Sequence, residues 1–195
     1  MERKYAWHNY DDATMEKVYA LSDTYRQFLD NGKTERECVV QAVEFAEAKG
    51  YVNLNDIIKS NTSIKAGDKI YYTHMDKSIA LFNIGTDDIE LGMNILGAHI
   101  DSPRIDVKQN PQYEDSNLVF WDTHYYGGIK KYHWVAMPLA IHGVVVKTDG
   151  TRININIGDK ETDPVFCITD LLPHLGQEQM QKNAAKVIEG EALDL

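Results

Sequence analysis

A histidine and an aspartate stand two residues apart at the end of an apolar run, Ile95-Leu96-Gly97-Ala98-His99-Ile100-Asp101-Ser102-Pro103. In an extended strand, residues i and i+2 share a face, so His99 and Asp101 project together. The Ser102-Pro103 turn puts them at the strand's carboxyl end, where open α/β sheets keep their sites. An imidazole that binds a metal has its second ring nitrogen held by an outer partner, often a carboxylate. The spacing therefore offers a ligand, His99, and its support, Asp101, together, and the small Gly97 and Ala98 leave room for other groups to approach. His-x-Asp taken alone is a common triplet, and a histidine bonded to a neighbouring carboxylate at a strand end explains it equally well. One imidazole cannot hold zinc, and no convincing second half of a site follows.

The other reactive residue types add little. His124, His133 and His142 are spaced by nine but fall on different predicted elements. They read as strand and loop histidines, and a mononuclear site joining His99 to His124 or His142 is the weaker alternative. Cys38 and Cys167 match no zinc or redox spacing and read as two free thiols. Gly127-Gly128 lacks the strand-turn-helix setting of a phosphate loop, and no Gly-x-Ser-x-Gly elbow exists. Trp121, Tyr125, Tyr126, Tyr132 and Trp134 form an aromatic group suited either to binding or to packing.

The elements that must position these residues change character along the chain. Met15, Val18, Ser22, Tyr25 and Leu29 fall on one helical stripe that ends at Asn31-Gly32 and reads as core-facing. A second helix opens on the capping box Thr34-Glu35-Arg36-Glu37 and runs to Gly50. From Lys69 the period is that of strands: residues 70–73 and 79–84 around the turn at Met75-Asp76-Lys77, then a strand from Met93 to Ile100. Ile105 to Lys108 alternates, and Asn110-Pro111 breaks it. Beyond Pro111 come the strand Leu118 to Trp121, a turn at residues 125–128, and a hairpin around Asp149-Gly150. A β-rich unit is expected from about residue 110. Gln177 to Ile188 is a further possible helix.

With 195 residues, one large domain or two small ones can bury a core. The formal charge of −10 includes no basic stripe, which argues against a nucleic-acid partner. Residues 1–7 lack a signal peptide's apolar core, and no segment approaches the roughly 18 apolar residues that cross a bilayer. A soluble, cytoplasmic protein with no membrane partner is expected.

The stretch from Gly97 to Arg104, continuing through Ile105-Asp106-Val107-Lys108 to Asn110-Pro111, resembles the metal-site strand of the aspartyl aminopeptidase and aminopeptidase I family of dinuclear zinc exopeptidases. Three further stretches agree in order: Asp76-Lys77-Ser78 leading into the Phe82 strand, Tyr126-Gly127-Gly128 followed by Trp134, and Leu172-Pro173-His174-Leu175. The resemblance spans nearly the whole chain. It implies an α/β fold in which a three-layer α/β/α zinc-peptidase domain, present in part over residues 1–108, is interrupted by an inserted β-rich oligomerisation domain beginning at 109–195. It further implies that His99 is a zinc ligand and that Asp101 is the catalytic-site carboxylate orienting it. Two zinc ions would activate a water against the first peptide bond of a substrate with a free amino terminus, a Glu would serve as general base, and the enzyme would be a homo-oligomer. The family's bridging Asp, Glu-Glu pair, further carboxylate and last His have no counterpart here. Val135-Ala136-Met137 also stand where many relatives carry charge. The chain is therefore expected to be the amino-terminal part of a larger aminopeptidase and inactive alone. The alternative is a truncated, non-catalytic interaction protein.

Overall fold

A computed structural model describes residues 3–195. The chain divides into two compact units, Met1–Asp101 and Ser102–Leu195. It is a mixed α/β chain with small sheets.

The first unit opens with helices α1 (Asp12–Asn31) and α2 (Glu35–Ala48). Asp11 caps α1 by accepting from the Thr14 amide. The predicted capping box of α2 is formed in full: Thr34 Oγ1 accepts from the Glu37 amide, and Glu37 Oε2 accepts from the Thr34 amide at 2.9 Å. The α2 residues Cys38, Val39 and Ala46 are buried. No residue of α1 is, so its stripe is not covered within the described residues; Phe28 stacks on Phe45, and the Phe28 carbonyl accepts from Gln41 Nε2. A short strand β1 (Val52–Asn53) leads into α3 (Leu54–Lys59) and pairs in parallel with β2 (Lys69–His74). β3 (Ser78–Asn83) returns antiparallel to β2. Met75 and Asp76 turn between them with φ of 52° and 57°, the left-handed conformation that a tight turn requires. Ile70 and Tyr71 of β2 are buried, and the Tyr71 hydroxyl donates to Glu47 at 2.7 Å, which ties the sheet to α2.

The second unit contains two antiparallel hairpins, β4 (Arg104–Asp115) with β5 (Leu118–Tyr126), and β6 (Ile141–Val146) with β7 (Arg152–Ile157). Gly150, at φ +84°, makes the second turn as the Asp149-Gly150 signal predicts. Asn110-Pro111 does not end a strand. Residues 108–111 stand opposite Asp122 alone, so the proline sits in a bulge, where its missing N–H costs no ladder bond. Nor is Gln177 to Ile188 one helix: only α4 (Gln177–Met180) forms. The segment after it is drawn into the core, where Ile188 packs with Ile168 and Leu193 and overrides a weak helical preference.

Residues 193–195 close this unit along β5. Trp121 and Leu195 exchange both backbone hydrogen bonds, at 2.8 and 3.0 Å, and Thr123 Oγ1 donates to the Leu193 carbonyl. Leu193 has no exposed surface. Asp194 accepts from the Tyr113 hydroxyl at 2.6 Å and from the Thr123 amide. Losing the hydroxyl proton would set a phenolate against that carboxylate, so the hydrogen bond to Asp194, then desolvation and the Asp194 charge, push the Tyr113 pKa up to about 12.

Two outcomes follow from this closure. Leu193→Ala should destabilise the second unit by about 2–5 kcal/mol in urea unfolding, and a loss near zero would show that the closing segment is not part of the core. The tyrosine proton supports the fold fully below its ordinary pKa of about 10, and that support is lost as pH rises toward about 12. The stability difference between the parent chain and Tyr113→Phe should therefore be constant below about pH 10 and shrink above it. A difference that grows with pH would contradict the assignment.

Candidate metal centre

Met93 to Ile100 does not form the expected strand: no regular element lies between the short 3-10 turn Ile89–Leu91 and β4. Among the described residues, residues 93–98 take part in no backbone–backbone hydrogen bond. A strand exists only when a neighbour pairs with it, and among the described residues none pairs with this segment. Its side chains are correspondingly uncovered, with Ile95 79 % and Leu96 101 % exposed. The composition of a doubly covered strand is thus present without the covering.

His99 and Asp101 meet all the same. His99 Nδ1 lies 3.1 Å from the Asp101 carbonyl oxygen and 3.3 Å from its Oδ1. Both neighbours are acceptors, so in the neutral imidazole Nδ1 is the nitrogen that carries the proton and Nε2 the one left with a lone pair. With the imidazole 84 % exposed, that nitrogen is open to a ligand. Chemically the pair fits one zinc donor and its outer-shell support. Among the described residues no group of three or more His, Cys, Asp or Glu could hold a metal ion.

The remaining candidates go elsewhere. His124 stacks on Tyr125, His133 meets Tyr132 edge-on, and His142 Nε2 lies 3.2 Å from Asp159 Oδ1. The aromatic group is divided among packing roles. Trp121 stacks on Phe166, Trp134 packs on the Ile168 core, and Tyr126 lies beneath the Arg104 guanidinium at 4.3 Å. His174 lies in the turn after Leu172, where the Leu172 carbonyl accepts from Leu175 and Gly176.

One contributor that the sequence reading missed is Cys38. Its thiol is buried and faces the carbonyls of Gly32 at 3.6 Å and Ile100 at 4.0 Å, the latter between the two site residues. A side chain on Gly32 would meet that sulfur at 2.8 Å, which explains the glycine after α1. The position of Cys38 four residues after Thr34, on the inner face of α2, was the available signal.

With this geometry established, comparison with known proteins places the chain. The family profile for aminopeptidase I zinc metalloproteases (M18) matches residues 28–193. The chain belongs to the M18 family. It is similar to a probable M18 family aminopeptidase 1 of Clostridium acetobutylicum, 52 % identical over 194 residues that cover all of this chain and 42 % of the relative. The crystal structure of an M18 aminopeptidase from Thermotoga maritima superposes with a TM-score of 0.87 at 44 % identity, over 100 % of this chain and 41 % of that one. The mApe1 dodecamer of S. cerevisiae shares the fold at a TM-score of 0.60 and 19 % identity, over 77 % of this chain and 36 % of that one. The chain thus spans about two fifths of the length of the curated relatives it matches.

The two thiols should differ in reactivity. Burial, then the charges of Glu37 and Glu35, raise the Cys38 pKa, whereas Cys167 is exposed. A disulfide reagent at pH 8 should modify one thiol quickly and the other only slowly or after unfolding. Equal rates would contradict the burial of Cys38.

Proposed function

We propose that this chain supplies the amino-terminal part of a cytoplasmic, zinc-dependent aminopeptidase that removes the first residue from peptides with a free amino terminus. In this reading residues 1–108 belong to a three-layer α/β/α catalytic domain, and 109–195 begin an inserted β-rich domain through which the enzyme forms a homo-oligomer. The M18 match supports the reading, and a dodecameric structure among the fold neighbours supports assembly. Among the described residues, no helix is long and apolar enough to cross a membrane.

The observation that carries the site assignment is the approach of His99 Nδ1 to Asp101. His99 would hold one of two zinc ions through Nε2. Asp101 would fix the tautomer and ring direction and raise the basicity of that nitrogen. Zinc, when bound, polarises the scissile carbonyl and lowers the pKa of a water to about 7. The further ligands and the general base would come from a longer polypeptide. A single imidazole leaves the remaining tetrahedral positions unfilled, so residues 1–195 alone should hold no stoichiometric zinc and show no peptidase activity.

A chimera tests this directly. Residues 1–195 would replace the matching part of the Clostridium relative, which is 52 % identical to this chain. The chimera should bind zinc and hydrolyse aminoacyl substrates. His99→Ala should abolish both, and Asp101→Asn should lower zinc affinity or activity about 10–100-fold. A His99→Ala chimera that keeps its zinc and its activity would overturn the assignment.

A further inference from the structure

The second unit contains a cavity of about 420 Å³ that plays no part in the proposed peptidase site. Three lysines line it, Lys131, Lys182 and Lys186, together with Ala185, the buried Ile188 and a single carboxylate, Glu189. Glu189 is committed to Lys182, which donates to it at 2.8 Å. Among the described residues, no carboxylate pairs with Lys131 or Lys186; the Lys131 ammonium stands 5.5 Å from the Tyr125 ring centroid. The cavity therefore carries two uncompensated positive charges in a chain whose formal charge is −10.

Carboxylates outnumber basic side chains by 30 to 20 in this chain, so an acid to neutralise each lysine was available in composition. Two ammonium groups held unpaired around one concave surface repel each other and concentrate a positive potential there. An anion that bridges them removes that repulsion. The apolar Ala185 and Ile188 beside them match an organic group rather than a second charge. We propose that this cavity binds a small phosphate-bearing molecule, its phosphate held by Lys131 and Lys186 and its organic part against Ala185 and Ile188. Lysine serves here as a compact point charge for phosphate.

Titration calorimetry of the 195-residue chain with phenyl phosphate and with inorganic phosphate tests the proposal. Saturable binding should weaken at least about tenfold in Lys131→Ala/Lys186→Ala, as expected for loss of charge-assisted bonds, and should weaken with added salt. Glu189→Gln releases Lys182 into the cavity and should tighten binding several-fold, a gain that misfolding cannot produce. Tighter binding of the ester than of inorganic phosphate supports the contact of the organic part with Ala185 and Ile188, and equal binding overturns it. The proposal is overturned if neither probe saturates, or if both the lysine variants and Glu189→Gln bind as the parent does.

Discussion

A peptide group taken out of water needs a partner, and this requirement governs the state of the His99 segment. The run from Met93 to Ile100 has the apolar content of a central parallel strand, buried on both faces. Among the described residues it has no pairing neighbour and no cover. Its end is held by the approach of His99 to Asp101 across two residues and by the Cys38 thiol, 62 residues away in sequence, near the intervening carbonyl. The approach of His99 Nδ1 to Asp101 sets which nitrogen of the imidazole faces outward.

The second unit solves the same problem within itself. Its closing residues add to β5 through the paired bonds between Trp121 and Leu195, and Leu193 fills the space beside Ile168 and Ile188. Polar groups reinforce the apolar contact: Asp194 takes hydrogen bonds from Tyr113 and Thr123, and Lys108 reaches both Asp122 and Glu191. The hairpins are long relative to the core they cover, so much of their outer surface stays exposed, as at Leu118, Val119 and Val146.

Local chemistry was legible in the sequence, and long-range partnership was not. The capping box at Thr34 and Glu37, the turn at Met75-Asp76 and the Asp149-Gly150 hairpin follow from a few neighbouring residues, and each is formed. The reading failed where a distant partner decides the outcome. Met93 to Ile100 has a strand's composition but no neighbour, α1 has an apolar stripe with little to cover it, and residues 181–188 surrender helix to the Ile168 core. Pro111 misled for a related reason, since a bulge depends on the opposite strand as much as on the proline. For the site, the two-residue spacing foretold that His99 and Asp101 meet, although a local approach brings them together rather than a shared strand face. The place of Cys38 on α2 can be read from its position after Thr34, but its meeting with Ile100 cannot, because that contact joins residues 62 apart.

In the proposed site, Asp101 turns His99 so that Nε2 faces a metal. A crystal structure of the zinc-loaded chimera, with anomalous data on both sides of the zinc edge, tests it most directly. The expected result is a zinc peak about 2.0–2.1 Å from His99 Nε2, with Nδ1 still directed at Asp101. Zinc bound through Nδ1, or a zinc centre that leaves His99 uncoordinated, would contradict it.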